Sequence, residues 1–166
     1  MEVDLYTDGA CRGNPDGPGG YGALLVYKDA DGKVHERSLS QGYTNTTNNR
    51  MELMAVLKGL ETLKRPCHVT VHTDSQYIAN AFNQGWLKSW IKNGWKRGAK
   101  KEPVKNEDLW RRILLAMKPH TVEYVWVRGH DGHPENERCD ELATAAADGD
   151  GLLPDLREMP EGKVSL

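Results

Sequence analysis

The sequence predicts an α/β domain, and three observations carry that prediction. Five short stretches read as strands, among them Val3 to Gly9 and Cys67 to Thr73, which alternate side chains with the period of two that a strand demands. Between and after them, other stretches repeat apolar residues at spacings of three and four, the pattern of a helix with one buried stripe. Two of the strands also end in aspartate where the regular pattern stops, and in open α/β sheets chemistry gathers outside the carboxyl ends of strands. With 166 residues, 38% hydrophobic and 28% charged, the chain suits one domain with a proper core and not a disordered polymer.

The first strand is Val3 to Gly9, where Val3, Leu5 and Thr7 alternate with Asp4, Tyr6 and Asp8. Asp8 is expected at its end, before the irregular run GACRGNPDGPGG. That run lacks the GK[ST] ending of a P-loop and a GxGxxG that opens a helix, so it is no nucleotide cradle. Tyr21 to Tyr27 reads as a second strand, Asp29, Asp31 and Gly32 as a hairpin turn, and Lys33 to Gly42 as a third strand.

The polar cluster Thr44 to Asn49 opens a helix that runs to about Lys64 and stops before Pro66. Met51, Met54, Ala55, Leu57 and Leu60 form its buried stripe. Glu52 has a purely local explanation, because Asn49-x-x-Glu52 has the spacing of a capping box. Cys67 to Thr73 is a fourth strand ending at Asp74. Asp74 has a local explanation too, as the N-cap of the helical pattern that runs through Phe82. Asn106 to Met117 is another helix, Thr121 to Val127 a fifth strand, and Pro134 with Glu135 and Glu137 starts a last helix. From Asp148 onward the chain is rich in Gly, Pro and acids, and little regular structure is expected. The predicted organisation is one domain over residues 1–148 and a partly disordered tail over 149–166.

Charge is unevenly spread. Between Trp86 and Lys105 lie seven basic residues and one acid, +6 against a chain total of −2, which leaves −8 for the rest. Trp86, Trp90 and Trp95 are interleaved there with Lys88, Lys92, Lys96, Arg97, Lys100, Lys101 and Lys105. Three close tryptophans can be core. Set among lysines they also make a groove wall, with aromatics on sugars or bases and ammonium groups on phosphates. An acidic body with one basic arm fits an acidic catalytic centre with a separate grip for a polyanion.

Four carboxylates stand at element ends or in first turns: Asp8, Glu52, Asp74 and Asp140, with His130 on a glycine-flanked loop just before the last helix. All-oxygen ligand sets suit hard cations such as Mg²⁺ or Mn²⁺. Two such ions about 4 Å apart activate a water and stabilise a leaving oxygen in phosphodiester cleavage, with no protein nucleophile needed. A zinc site at His130, His133 and Cys139 lacks a fourth ligand, and Cys139 is better used on the buried face of its helix. The other cysteines, Cys11 and Cys67, are far from it and form no CxxC pair, which predicts reduced thiols in a cytoplasmic protein. No apolar run approaches the ~20 residues of a membrane span, and no signal peptide is expected before the first strand.

The segments YTDGACRGNPDGPGGYGALL, TTNNRMELMAVLKGLETL, HTDSQYI, GWKRG with PVKNEDLW, and WVRGHDGHPENERCDELA resemble, in order and spacing, the bacterial type 1 ribonuclease H (ribonuclease HI) family. The resemblance spans roughly Val3 to Ala147. It implies a ribonuclease H-like fold: a five-stranded mixed sheet, three antiparallel strands and then two parallel ones, flanked by helices, with a basic handle over about residues 85–105. It implies a hydrolase that cuts the RNA strand of RNA/DNA hybrids with two Mg²⁺ ions (Mn²⁺ as substitute), leaving 5′-phosphate and 3′-hydroxyl ends. Removal of primers and R-loops would follow. The protein is expected to be monomeric.

Residue by residue, the resemblance makes Asp8, Glu52, Asp74 and Asp140 the metal-binding catalytic acids. It makes His130 an aid to proton transfer or product release, a role that suits an imidazole. Cys11, Asn14, Asn48, Asn49 and Gln76 match residues lining the hybrid's minor groove. Trp86, Trp90, Lys92, Trp95, Lys96, Lys100 and Lys101 fall in the handle, which grips the DNA strand. Thr47 and Asn106 match a pocket for a DNA phosphate. Where relatives often carry Arg, two residues before that threonine, this chain has Asn45, so the pocket loses a bidentate donor. Arg97-Gly98 follows Trp95-Lys96 where relatives tend to have a small hydroxyl residue. Asp131 adds an acid beside His130. No separate N-terminal hybrid-binding domain is expected. The competing readings are a DNA-cutting nuclease or integrase on the same fold, and a hybrid-binding module without chemistry.

Overall fold

The computed structural model describes residues 1–129 and 133–166. In chain order its elements are β1 (Glu2–Cys11), β2 (Gly19–Lys28), β3 (Val34–Thr44), α1 (Asn48–Thr62), β4 (His68–Thr73), α2 (Gln76–Asn83), α3 (Trp86–Lys92), β5 (Lys96–Arg97), β6 (Glu102–Pro103), α4 (Glu107–Met117), β7 (Thr121–Trp126), α5 (Pro134–Asp148) and β8 (Leu153–Pro154). The main sheet has the order β7-β4-β1-β2-β3-β8. β1, β2 and β3 form an antiparallel meander, and β4 lies parallel to β1 and β7 parallel to β4. The expected five-stranded mixed sheet is therefore present, widened by the two-residue strand β8, which pairs parallel with the end of β3.

The first strand is longer than the sequence pattern suggests. β1 pairs with β2 from Val3↔Tyr27 through Cys11↔Gly19, so Asp8 lies within the ladder and not at its end. The glycines of the run that reads as a loop belong partly to β2, and helix packing explains them. Side chains at Gly20, Gly22 and Gly42 would collide with backbone carbonyls of α5, at Ala143, Cys139 and Ala146. The sheet thus accepts α5 backbone-to-backbone on one face. Neighbouring residues point to opposite faces, and Tyr21 joins the core on the other side with Leu5, Met51, Leu57 and Leu60.

α1 fills that other face. Its residues 50–57 are all buried, with α4 packed alongside through Leu109, Trp110, Ile113 and Leu114. One member of this run is a cation. Arg50 is 3% exposed and forms a bidentate pair with Asp108 of α4, at 2.9 and 2.7 Å. It also bonds Asp155 at 2.6 and 3.1 Å. Burial works to discharge the guanidinium, but the two carboxylates outweigh it and raise its pKa. Breaking such a buried pair typically costs about 3–5 kcal/mol.

Asp155 belongs to the segment expected to be loose. After α5 the chain turns back, pairs as β8 with Tyr43 and Thr44, and buries the Asp155 side chain completely. Further along, Arg157 donates to the Asn45 carbonyl at 2.7 Å and Lys118 Nζ to the Lys163 carbonyl at 2.8 Å. β8 is two residues long. The tail is nonetheless packed, because polar anchors do what an apolar pattern would otherwise do. No helix among the described residues is long and apolar enough to cross a membrane. Cys11, Cys67 and Cys139 are free thiols.

Candidate active site

Three strand and helix segments converge on one acidic cluster. α1 crosses directly over Gly9, where a Cβ would run into the backbone of Met51 and Glu52. The bare glycine after Asp8 is what lets Glu52 descend beside it. The local explanations for Glu52 and Asp74 do not hold. Thr47 caps α1, accepting from Arg50 N at 3.1 Å, so Asn49-x-x-Glu52 is no capping box. Ser75 caps α2, accepting from Ile78 N at 3.2 Å, so Asp74 is no N-cap. Both acids are spared from helix capping, and the Asp74 backbone is tied to β7 by Trp126 Nε1, 3.1 Å from its carbonyl.

Ligand oxygens of Asp8, Glu52 and Asp74 lie within 4.8 Å of one another. Asp8 and Glu52 are each 4% exposed. Asp8 Oδ1 accepts from the Gly9 amide at 2.9 Å. Glu52 Oε2 is buried without a hydrogen-bond partner among the described residues. Burial first, then the negative fields of Asp8 and Asp74, push the Glu52 carboxyl well above its ordinary pKa. Carboxylates this close are stable only if a proton or a cation neutralises them. An unsatisfied carboxylate oxygen facing two other acids fits a hard, oxygen-preferring divalent cation.

Asp140, the fourth acid of the sequence pattern, is exposed on α5 and stands outside this group of three. It follows Cys139, whose sulfur is fully buried 3.4 Å from the Tyr6 carbonyl. Burial, followed by the field of Asp8, pushes that thiol up to about 12, and its place on the inner face of α5 makes it part of the core. His130 and Asp131 lie outside the described residues.

The residues matched to a phosphate pocket and minor-groove wall gather from distant parts of the chain. Asn14, Pro15, Thr47, Asn48, Asn49, Lys105 and Asn106 line one cavity of ≈ 470 Å³. Asn14 Oδ1 accepts from the Asn48 amide at 3.2 Å. Asn106, in left-handed backbone at φ +63°, receives Arg50 Nη1 on its Oδ1 at 3.3 Å and donates through Nδ2 to the Tyr77 hydroxyl at 3.3 Å. Cys11 closes the same loop region, its sulfur 3.5 Å from the Thr46 carbonyl. Gln76 is exposed at the start of α2. Asn45 stands at φ +50°, a conformation that asparagine tolerates better than arginine.

The basic arm is α3 followed by the small β5–β6 hairpin. Lys92, Lys96, Lys100 and Lys101 are exposed on it. The three tryptophans divide. Trp86 is 39% exposed, and Trp90 is partly buried and packs on core Trp110 with ring centroids 5.7 Å apart. Trp95 is 4% exposed, within the core and under the Arg111 guanidinium at 4.9 Å. Trp95 is therefore corrected from groove wall to the peg that fixes the arm to the body. Sequence reasoning missed two residues. Lys105, read from sequence only as part of the basic arm, lines the cavity with Thr47 and Asn106, and Arg50 braces Asn106 from behind. The signal for Arg50 was available: a charge on the buried stripe of α1 needs an acid, and the sequence NEDLW starts the next packed helix with one.

The sequence model of the RNase H family matches residues 1–148. The chain is 63% identical over 155 residues to a ribonuclease H of Lachnoclostridium phytofermentans, covering 93% of this chain and 98% of that one. It is 56% identical over 156 residues to a ribonuclease H of Desulforamulus reducens, covering 94% of each. Among solved structures it is similar to a type 1 RNase H with the type 2 active-site motif, at 35% identity and a TM-score of 0.78 over 88% of this chain and 72% of that one.

Proposed function

The chain belongs to the ribonuclease H family, hydrolytic nucleases, and from that premise we propose how its own residues cut the RNA strand of an RNA/DNA hybrid. The observation that carries the reading is the triad Asp8, Glu52 and Asp74, two of its members buried, with its unsatisfied Glu52 oxygen. The triad holds divalent cations, Mg²⁺ with Mn²⁺ as substitute, and Asp140 serves as the fourth acid from the rim of α5. Two such cations would supply activation of the attacking water and stabilisation of the leaving 3′ oxygen, which leaves a 5′-phosphate. Triad residues are held by β1, α1 and the end of β4, so their positions are fixed before substrate arrives.

Substrate is held in three places. Asn14, Asn48, Asn49, Gln76 and Cys11 face the minor groove, where 2′-hydroxyls distinguish the RNA strand. Thr47, Asn106 and Lys105 take a phosphate of the DNA strand. Lys92, Lys96, Lys100 and Lys101, with Trp86 and Trp90, grip the DNA further along. His130 moves a proton at the departing product, a role assigned from its place in the GHDGH segment. The protein acts as a cytoplasmic monomer that clears RNA primers and R-loops. Calorimetric titration of Mg²⁺ with a non-cleavable hybrid bound tests the site. Two ions per chain, lost in Glu52→Gln, is the expected result; binding unchanged in that variant refutes the triad.

A further inference from the structure

The C-terminal tail enters the substrate site from behind, and two observations carry the inference. Asp155, whose side chain is fully buried, bonds Arg50 and also accepts from the Thr46 hydroxyl at 2.8 Å. Both partners lead to the phosphate cavity. Arg50 donates to the Asn106 side-chain oxygen at 3.3 Å and, through its backbone amide, to the Thr47 hydroxyl at 3.1 Å. Thr46 precedes Thr47, and the next residue back, Asn45, is held through its carbonyl by Arg157 at 2.7 Å. Thus residues 155 and 157 fasten 45, 46 and 50, and those contact two of the residues that line the cavity, Thr47 and Asn106.

Donor chemistry makes this more than packing. A guanidinium has no acceptor, so Arg50 can meet Asn106 only at the amide oxygen. That fixes the amide orientation and turns its NH₂ away from Arg50, one hydrogen on Tyr77 and one to spare. One spare N–H is what a phosphate oxygen needs. Without Asp155, Arg50 keeps only Asp108 as a fixed counter-charge, and Thr46 loses its acceptor. We propose that Asp155 is a positioning residue for the phosphate cavity: the tail, through Arg50 and Thr46, sets Asn106 and Thr47 for the DNA strand. This rests on the hybrid-binding reading above.

The test is fluorescence anisotropy of a labelled RNA/DNA hybrid in EDTA, with kcat and KM measured separately in Mg²⁺. Asp155→Asn is expected to raise Kd about five- to tenfold, the effect of one hydrogen bond of about 1 kcal/mol or slightly more. KM should rise with it while kcat stays within twofold. In an Asn106→Ala background the same substitution should add less than it does alone, the remainder acting through Thr47. The Asn106 side-chain amide resonances should shift in Asp155→Asn before any substrate is added. Arg157→Ala, a change at an exposed side chain, should raise Kd by a smaller factor and remains informative should Asp155→Asn fail to fold. Unchanged Kd in a folded variant, or additive effects with Asn106→Ala, overturns the proposal and leaves the tail a stability element. Failure of the unmodified protein to bind the hybrid at all sinks the functional reading instead.

Discussion

Asp8→Asn should stabilise the metal-free protein while removing its metal response. Asp8 and Glu52 are both 4% exposed, and their ligand oxygens lie within 4.8 Å. Two unit charges at that separation repel by about 3.5 kcal/mol at an effective dielectric of ~20. A second bound comes from the proton. Keeping a carboxyl of ordinary pKa near 4.3 protonated at pH 7 costs about 3.7 kcal/mol, at 1.36 kcal/mol per unit. The folded protein adopts the cheaper arrangement, so removing one charge should return about 1–3 kcal/mol. For a domain of this size each kcal/mol moves Tm by about 2–4 °C, so a rise of about 3–10 °C is expected. The pH dependence has a definite sign. Glu52 has a raised pKa in the folded state, so its share of stability is full below its unfolded value and is lost as pH rises through the folded one. Asp8→Asn should flatten that loss. Thermal melts in EDTA at pH 5 and pH 8, repeated with Mg²⁺, measure both effects. A variant that melts at or below the parent in EDTA, and still gains the parent's Mg²⁺ shift, refutes the reasoning.

Replacing Lys96, Arg97, Lys100 and Lys101 together with Ala should raise KM, leave kcat nearly unchanged and flatten the salt dependence of binding by about one logarithmic unit for each phosphate no longer neutralised; a fall in kcat alone would mean the arm does not grip phosphates. Trp95→Ala should cost about 3–5 kcal/mol of stability, because its ring lies in the core. Trp86→Ala should cost less than about 1 kcal/mol of stability yet weaken hybrid binding by about 1–3 kcal/mol if a sugar or base packs on it; equal Tm losses in thermal melts would contradict that division. His68 has its pKa raised by its hydrogen bond to Glu2 and by the charges of Glu2 and Glu123. Its stabilisation is present below the unfolded value and fades as pH rises through the folded one, and Glu2→Gln should lower its midpoint in an NMR titration.

Much of the site was legible because its residues carry chemistry that local structure does not require. Asp8, Glu52 and Asp74 read as candidates, and the local alternatives for two of them were settled only when Thr47 and Ser75 proved to be the caps. Strand ends were less legible. Gly19 and Gly20 look like a loop in sequence, and only close packing explains glycines inside β2: α5 lies against Gly20 and Gly22, and Thr46, Ala10 and Met51 against Gly19. The tail was illegible for a different reason. Its anchor is one buried ion, Asp155, and its partner Arg50 is 105 positions away, so no periodic pattern marks it. Trp95 shows the limit of composition: a tryptophan among lysines reads as a groove wall, and its burial depends on Arg111 and the α4 face.

The most direct test of the central claim is cleavage of one labelled RNA strand presented free, paired with RNA and paired with DNA, each with and without Mg²⁺. The account predicts cutting only of the DNA-paired strand and only with the metal, with a 5′-phosphate on the new end. Cutting of all three forms, or cutting in EDTA, would contradict it: the acidic triad would not be the catalytic centre and the basic arm would be a general nucleic-acid surface.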